Sequence, residues 1–187
     1  MSTILKRNKK EKPKKTPKQE AISWVLTLLT AVVLALVIRT WFFELIRVDG
    51  ESMQNTLMNN EVVLMTKRDY ARGELNRGDV VICHYPDRGN TLFVKRLIAL
   101  PGDTIEIRSG IVYVNGELVD ETDIDMYSES KENFGPYLMG EDDYFVMGDN
   151  RAHSNDSRRV GPLSRDMILG HVRRMVCPLN KFMQEVY

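Results

Sequence analysis

Two short segments carry the residue types that could do chemistry: Gly50-Glu51-Ser52-Met53-Gln54-Asn55-Thr56-Leu57 and, some forty residues later, Phe93-Val94-Lys95-Arg96. A serine hydroxyl is a poor nucleophile until a base takes its proton. Lysine can be that base only as the neutral amine, which requires desolvation without a carboxylate partner. Alternation along a strand from Thr91 to Leu100 places Lys95 on a face with Phe93, Leu97 and Ala99, while Arg96 points the other way with Val94 and Ile98. Lys95 is then a lone cation among apolar side chains. An edge-strand lysine that blocks aggregation fits the same pattern. Gly50 allows a positive φ that would turn the Ser52 backbone N–H toward a developing oxyanion. An ordinary polar turn fits it too.

Histidine is the commoner base, and there are three: His84, His153 and His171. None stands in a nucleophile-elbow motif, although a triad is defined by space and stays open on sequence alone. No Cys or His pair has metal-ligand spacing, so neither a metal nor another cofactor is expected. A third polar segment runs Gly148-Asp149-Asn150-Arg151-Ala152-His153-Ser154-Asn155-Asp156-Ser157-Arg158. With one alanine as its only apolar side chain it reads as no part of a core. It either solvates itself or builds a site.

The elements that must position these residues are mainly β. Strands are expected over 44–48, 61–67, 79–85, 91–100, 104–108, 111–114, 117–119, 144–147 and 167–176, the last interrupted at Gly170. Pro101-Gly102 closes the strand of Lys95, and Asn115-Gly116 is the favoured two-residue hairpin turn. Residues 120–143 hold nine Asp/Glu against Lys131 alone and read as an irregular, solvated insertion or lid. No amphipathic helix stands out beyond the N-terminal region.

Before the strands, Ala21 to Ile38 is 18 residues without a charge, and Thr40 to Phe43 extend the run past Arg39. Eighteen residues span about 27 Å as a helix, close to a bilayer's hydrocarbon thickness. Trp24 and Trp41-Phe42-Phe43 suit the two interfaces. A buried core helix would show a polar face, and a cleaved leader would be shorter with a small-x-small site. An uncleaved anchor is the expectation. Residues 1–20 carry eight Lys/Arg and two Glu, and this basic flank puts the N-terminus in the cytoplasm and everything after Arg39 outside. The tail itself cannot bury enough surface to order. Residues 21–187 hold 18 basic and 24 acidic side chains, a balance that argues against nucleic-acid binding. Two cysteines, Cys83 and Cys177, are too few for a disulfide scaffold.

Taken together, these segments resemble the type I signal peptidases, the bacterial Ser–Lys membrane peptidases, in the compact form of Gram-positive bacteria. The resemblance rests on the anchor, Gly50 to Leu57, Arg77-Gly78-Asp79-Val80-Val81, Val94-Lys95-Arg96 with Pro101-Gly102-Asp103, and Gly148-Asp149-Asn150-Arg151 followed by Ser154, Asp156, Ser157 and Arg158. It implies Ser52 as nucleophile and Lys95 as general base. It implies Ser154 as the hydroxyl that orients the lysine, Asp156 and Arg158 as an ion pair shaping the site, and Asp149 as a supporting polar residue. The Ser52 amide would serve the oxyanion. Some members add a hydroxyl where Gly50 stands here, and most have proline where Asn55 stands. Cleavage after small residues implies shallow apolar pockets. Gly50, Met53, Phe93 and Val94 lie on the strands that would pair with an extended substrate.

The expected molecule has a basic tail over 1–20, a transmembrane anchor over 21–43 and an extracytoplasmic antiparallel-β catalytic domain over 44–187, with a small β subdomain inserted at about 104–143. Its expected activity is removal of signal peptides from secreted preproteins at the bilayer. Ser52 lies 13 residues past Arg39, a reach of at most about 45 Å. Two alternatives stand beside it: a self-cleaving repressor-like Ser–Lys peptidase, and an inert anchored β-domain that binds secreted proteins.

Overall fold

A single long helix, α1, covers Pro17–Trp41. Proline at the first helical position has no N–H to leave unsatisfied. Thr16 and Gln19 close a capping box around it, the Gln19 amide donating to Thr16 Oγ1 and the Thr16 amide to Gln19 Oε1. The hydroxyls of Thr27 and Thr30 donate back to the carbonyls of Ser23 and Leu26, so neither needs an outside partner. The helix is apolar on every side and buries none of its residues. At 25 residues it is about 37 Å long, enough to cross a bilayer with some tilt.

This computed structural model describes residues 16–54, 56–67, 75–89, 91–121 and 130–186. Asn55 and most of the basic tail lie outside them. Residues 1–38 and 39–187 form separate units, and the expected division at residue 43 falls two residues past the end of α1.

The second unit is built on two antiparallel sheets. The strands of the larger are β1 (Phe43–Arg47), β2 (Val62–Thr66), β3 (Val80–Cys83) and β4 (Phe93–Ala99). After β4 the chain leaves at Pro101-Gly102 and builds the smaller sheet from β5 (Thr104–Arg108), β6 (Ile111–Val114), β7 (Glu117–Leu118) and β8 (Phe134–Leu138). It returns through β9 (Asp143–Met147), a one-turn helix α2 (Ser157–Val160), β10 (Leu163–Ser164) and β11 (Ile168–Cys177). The strand orders are β1-β2-β11-β3-β4-β9-β10 and β7-β6-β5-β8. The smaller sheet is thus inserted between neighbours β4 and β9.

The larger sheet is covered on both faces, which is why β3 reads as an unbroken apolar run. Val80 and Ile82 join Met53, Leu57, Val63, Met65, Val172 and Met175 in one cluster. Val81 and Cys83 join Tyr85, Leu97, Val146, Leu163 and Ile168 in another. A third cluster ties the sheets together, packing Ile98, Ala99, Phe145 and Met147 against Ile105, Ile107, Val112 and Val114.

Three expectations change. The segment 120–143 is not irregular throughout, since β8 lies within it and pairs with β5. Gly170 does not interrupt β11; the strand runs on with a register shift between Ile168 and Gly170. Ala99 does not share the face of Phe93 and Leu97, because the β4–β9 register shifts between Leu97 and Ala99 and turns Ala99 toward the small sheet.

Candidate active site

The Ser52 turn follows β1 and is pinned by its own apolar residues. Gly50 has φ of 110°, the positive value its position requires. Met53 and Leu57 are buried in the first cluster, and the Leu57 amide donates to the Met53 carbonyl at 2.8 Å. Ser52 itself is held from the other side. The Asn150 amide donates to the Ser52 carbonyl at 3.0 Å, and Asn150 Nδ2 to the Glu51 carbonyl at 3.0 Å.

Lys95 lies in β4 opposite Val81, on the face of Phe93 and Leu97. It is 1% exposed, and Nζ hydrogen-bonds Ser52 Oγ at 2.6 Å. Among the described residues no carboxylate forms an ion pair with it. Burial pushes the Lys95 amine below its ordinary 10.5, against smaller upward pulls from Asp156, Cys83 and Asp149. Burial also pushes the Cys83 thiol up to about 12. Two of the three histidines are engaged elsewhere: His153 Nδ1 meets Asn150 Oδ1 at 3.3 Å, and His171 Nε2 accepts from Arg173.

The polar stretch 148–158 departs from its reading as no part of a core. Asp149, Asn150, Arg151, Ser154, Asp156 and Ser157 are all buried. Hydrogen bonds replace apolar contacts as the reason they are inside. Asp149 takes a bidentate pair from Arg96 at 2.9 and 2.7 Å and a hydrogen bond from Thr56 Oγ1 at 2.6 Å. Asp156 caps α2, takes both sides of the Arg158 guanidinium at 2.8 and 2.9 Å, and accepts the Gly148 amide at 3.1 Å. Burial alone would raise the Asp156 carboxyl; the Arg158 fork, helped by the Gly148 amide, holds it below its usual 3.8. Ser154 Oγ is buried and completes no hydrogen bond with a described residue. The bond to Lys95 implied by the resemblance is therefore not made in this structure.

Sequence reasoning missed Gly148. A Cβ there would sit 2.4 Å from both the Ser52 carbonyl oxygen and Ser154 Oγ. Arg96 and Asn150 were passed over too, the first because its face looked merely opposite to Lys95. Cys83 and Cys177 are both free; β11 pairs with Cys83 at Ile168, nine positions and about 30 Å of strand from Cys177.

A cleft of about 350 Å³ opens beside Ser52, lined by Ile46, Val48, Met53, Phe93 and Val94 among others. Gly50 lies on its rim, so the four residues assigned to substrate strand and pocket meet at one cleft. A larger cavity of about 550 Å³ is lined by Arg77, Asp79, Arg96, Arg173 and Arg174 and touches neither Ser52 nor Lys95.

Residues 21–177 match the family model described as signal peptidase, peptidase S26. The chain belongs to the signal peptidase family. Signal peptidase I S of Bacillus subtilis (strain 168) is 37% identical over 174 residues, covering 88% of this chain and 93% of its own. Signal peptidase I of Bacillus licheniformis is 38% identical over 173 residues, covering 88% and 92%. A solved signal peptidase I from Enterococcus faecalis V583 aligns with 29% identity and a TM-score of 0.44, over 52% of this chain and 96% of that one. The protein is accordingly a membrane-anchored signal peptidase, a serine endopeptidase. The repressor-like and inert-domain alternatives give way to that membership.

Proposed function

We propose that this signal peptidase cleaves signal peptides from secreted preproteins with Ser52 as nucleophile and Lys95 as general base. One observation carries the reading: a buried amine without a carboxylate partner among the described residues, 2.6 Å from the serine hydroxyl. As the neutral amine, Lys95 Nζ accepts the Oγ proton while Oγ bonds to the scissile carbonyl carbon. The oxyanion faces the Ser52 amide beyond Gly50. Collapse breaks the C–N bond, and Lys95 returns the proton to the leaving amine. Water, deprotonated by the same amine, then hydrolyses the acyl-serine. Asp149, Asp156 and Arg158 keep the loop behind Ser52 in place, and Ser154 stands beside the pair as its polar neighbour.

The apolar part of the cleft, lined by Val48, Met53, Phe93 and Val94, suits small side chains of an extended substrate, whose backbone would pair with the strands leading to Ser52 and Lys95. The basic flank supports a cytoplasmic N-terminus and an extracytoplasmic catalytic unit. To test the dyad, full-length enzyme in detergent is given a signal-bearing preprotein alongside Ser52→Ala and Lys95→Met variants. Each variant is expected to stay folded and to lose at least about a thousandfold in kcat/KM. Trimming at near wild-type rate by either one sinks the assignment.

A further inference from the structure

The inserted subdomain reaches back to the active-site loop through two carboxylates. Arg151 is 3% exposed, and its guanidinium does two things: Nε donates to the Gly148 carbonyl at 3.1 Å, and NH1 and NH2 form a bidentate pair with Glu121. Arg158 is held in the same manner. Its NH1 donates to Glu132 at 2.8 Å, its NH2 to the Arg151 carbonyl at 2.7 Å, and the rest of its fork to Asp156. Asp156 in turn accepts the Gly148 amide. Both backbone polar groups of Gly148 are therefore fixed by side chains, the carbonyl by Arg151 and the amide by Asp156.

A Cβ on Gly148 would stand 2.4 Å from both the Ser52 carbonyl oxygen and the Ser154 hydroxyl. Two residues on, the Asn150 amide holds that same Ser52 carbonyl. The chain of contacts from Glu121 to Arg151 to Gly148 ends under the nucleophile. Within the loop, Asp149 is taken by Arg96 and Asp156 by Arg158. Among the described residues that leaves Glu121 as the carboxylate that neutralises Arg151, and a buried guanidinium deprived of its anion reorients to find water. Glu132 differs: it is 41% exposed, and Arg158 keeps Asp156 without it.

We propose that Glu121 is a positioning residue for the peptidase reaction, holding the Gly148 backbone, and through it Ser52, in register by way of Arg151. The proposal rests on Ser52 and Lys95 being the reacting pair. It gives the inserted sheet a part in catalysis beyond covering the core. The effect belongs to the chemical step and not to substrate capture, because neither Glu121 nor Arg151 lines the cleft at Ser52.

The test measures kcat and KM of the full-length enzyme on a signal-bearing preprotein, well below each variant's unfolding temperature, for Glu121→Gln, Glu121→Asp and Glu132→Gln. Glu121→Gln is expected to lower kcat about 10- to 100-fold, the scale of a small misplacement of a reacting group, with KM within twofold. Glu121→Asp recovers part of the loss by restoring the charge, and it carries the test alone if the Gln variant does not fold. Glu132→Gln stays within about threefold. The midpoint of the pH–rate curve is unmoved, since Glu121 acts on backbone and not on the Lys95 amine. An unchanged kcat with only a lowered unfolding temperature overturns the proposal, as does a shifted pH midpoint or a rise confined to KM. Ser52→Ala and Lys95→Met run in parallel. If they retain activity, the reading of the reacting pair fails; if they are dead while both Glu121 variants are fully active, only the positioning role does.

Discussion

Gly148 shows how little slack the site has at the scale of single residues. Its missing side chain is what lets the Ser52 carbonyl and the Ser154 hydroxyl approach, each 2.4 Å from where a Cβ would stand. The carbonyl is itself fixed by Asn150. Gly148→Ala is therefore expected to destabilise the fold by about 1–3 kcal/mol, the range for overpacking. It should also cut kcat about a hundredfold by displacing Ser52. Thermal unfolding and steady-state rates check the two numbers, and a fully active Gly148→Ala enzyme would mean the wall behind Ser52 yields freely. Lys95 was legible in the sequence because alternation alone put it among apolar neighbours. Gly148 was not, because its role is set in part by Ser52, almost a hundred positions away.

At the scale of elements, β4 separates two polar side chains that follow one another. Lys95 faces apolar neighbours and stays unpaired with any described carboxylate, while Arg96 on the opposite side is buried against Asp149. That pair joins β4 to the active-site loop, and Thr56 Oγ1 adds the segment after Ser52. Asp149→Asn should cost about 3–5 kcal/mol by stranding the Arg96 charge, and adding Arg96→Met should recover part of that loss. Denaturant unfolding measures it; equal stability of single and double variants would contradict the coupling. Most strands could be read from alternation and turn dipeptides. The strand β8 could not, since Phe134-Gly-Pro-Tyr-Leu138 contains two residues that argue against a central strand. It forms as an edge strand, where proline's missing donor is tolerated. The loop 148–158 was legible as a candidate site but not as buried, because polarity signals exposure only when the polar groups lack partners inside.

Across the whole molecule, an apolar helix and a catalytic unit with its inserted sheet divide the work of anchoring and cleavage. The helix was the plainest feature of the sequence, because length and lack of charge suffice to define it. The extracytoplasmic side is proposed for the catalytic unit from the basic flank, and the two free cysteines provide a test. Cys177 is exposed and Cys83 is buried. A membrane-impermeant maleimide added to intact protoplasts should label Cys177 and spare Cys83. Labelling that appears only after lysis would reverse the orientation.

The central claim is that a desolvated, neutral Lys95 activates Ser52, and the pH dependence of kcat/KM on a preprotein tests it most directly. Only the unprotonated amine can accept the Oγ proton, so activity must rise with pH through the Lys95 pKa. Because burial lowers that pKa, the midpoint should fall below the ordinary 10.5 of a lysine, and the rising limb should vanish from any residual activity of Lys95→Met. A profile flat across the range, or a limb that survives in Lys95→Met, would contradict a lysine base.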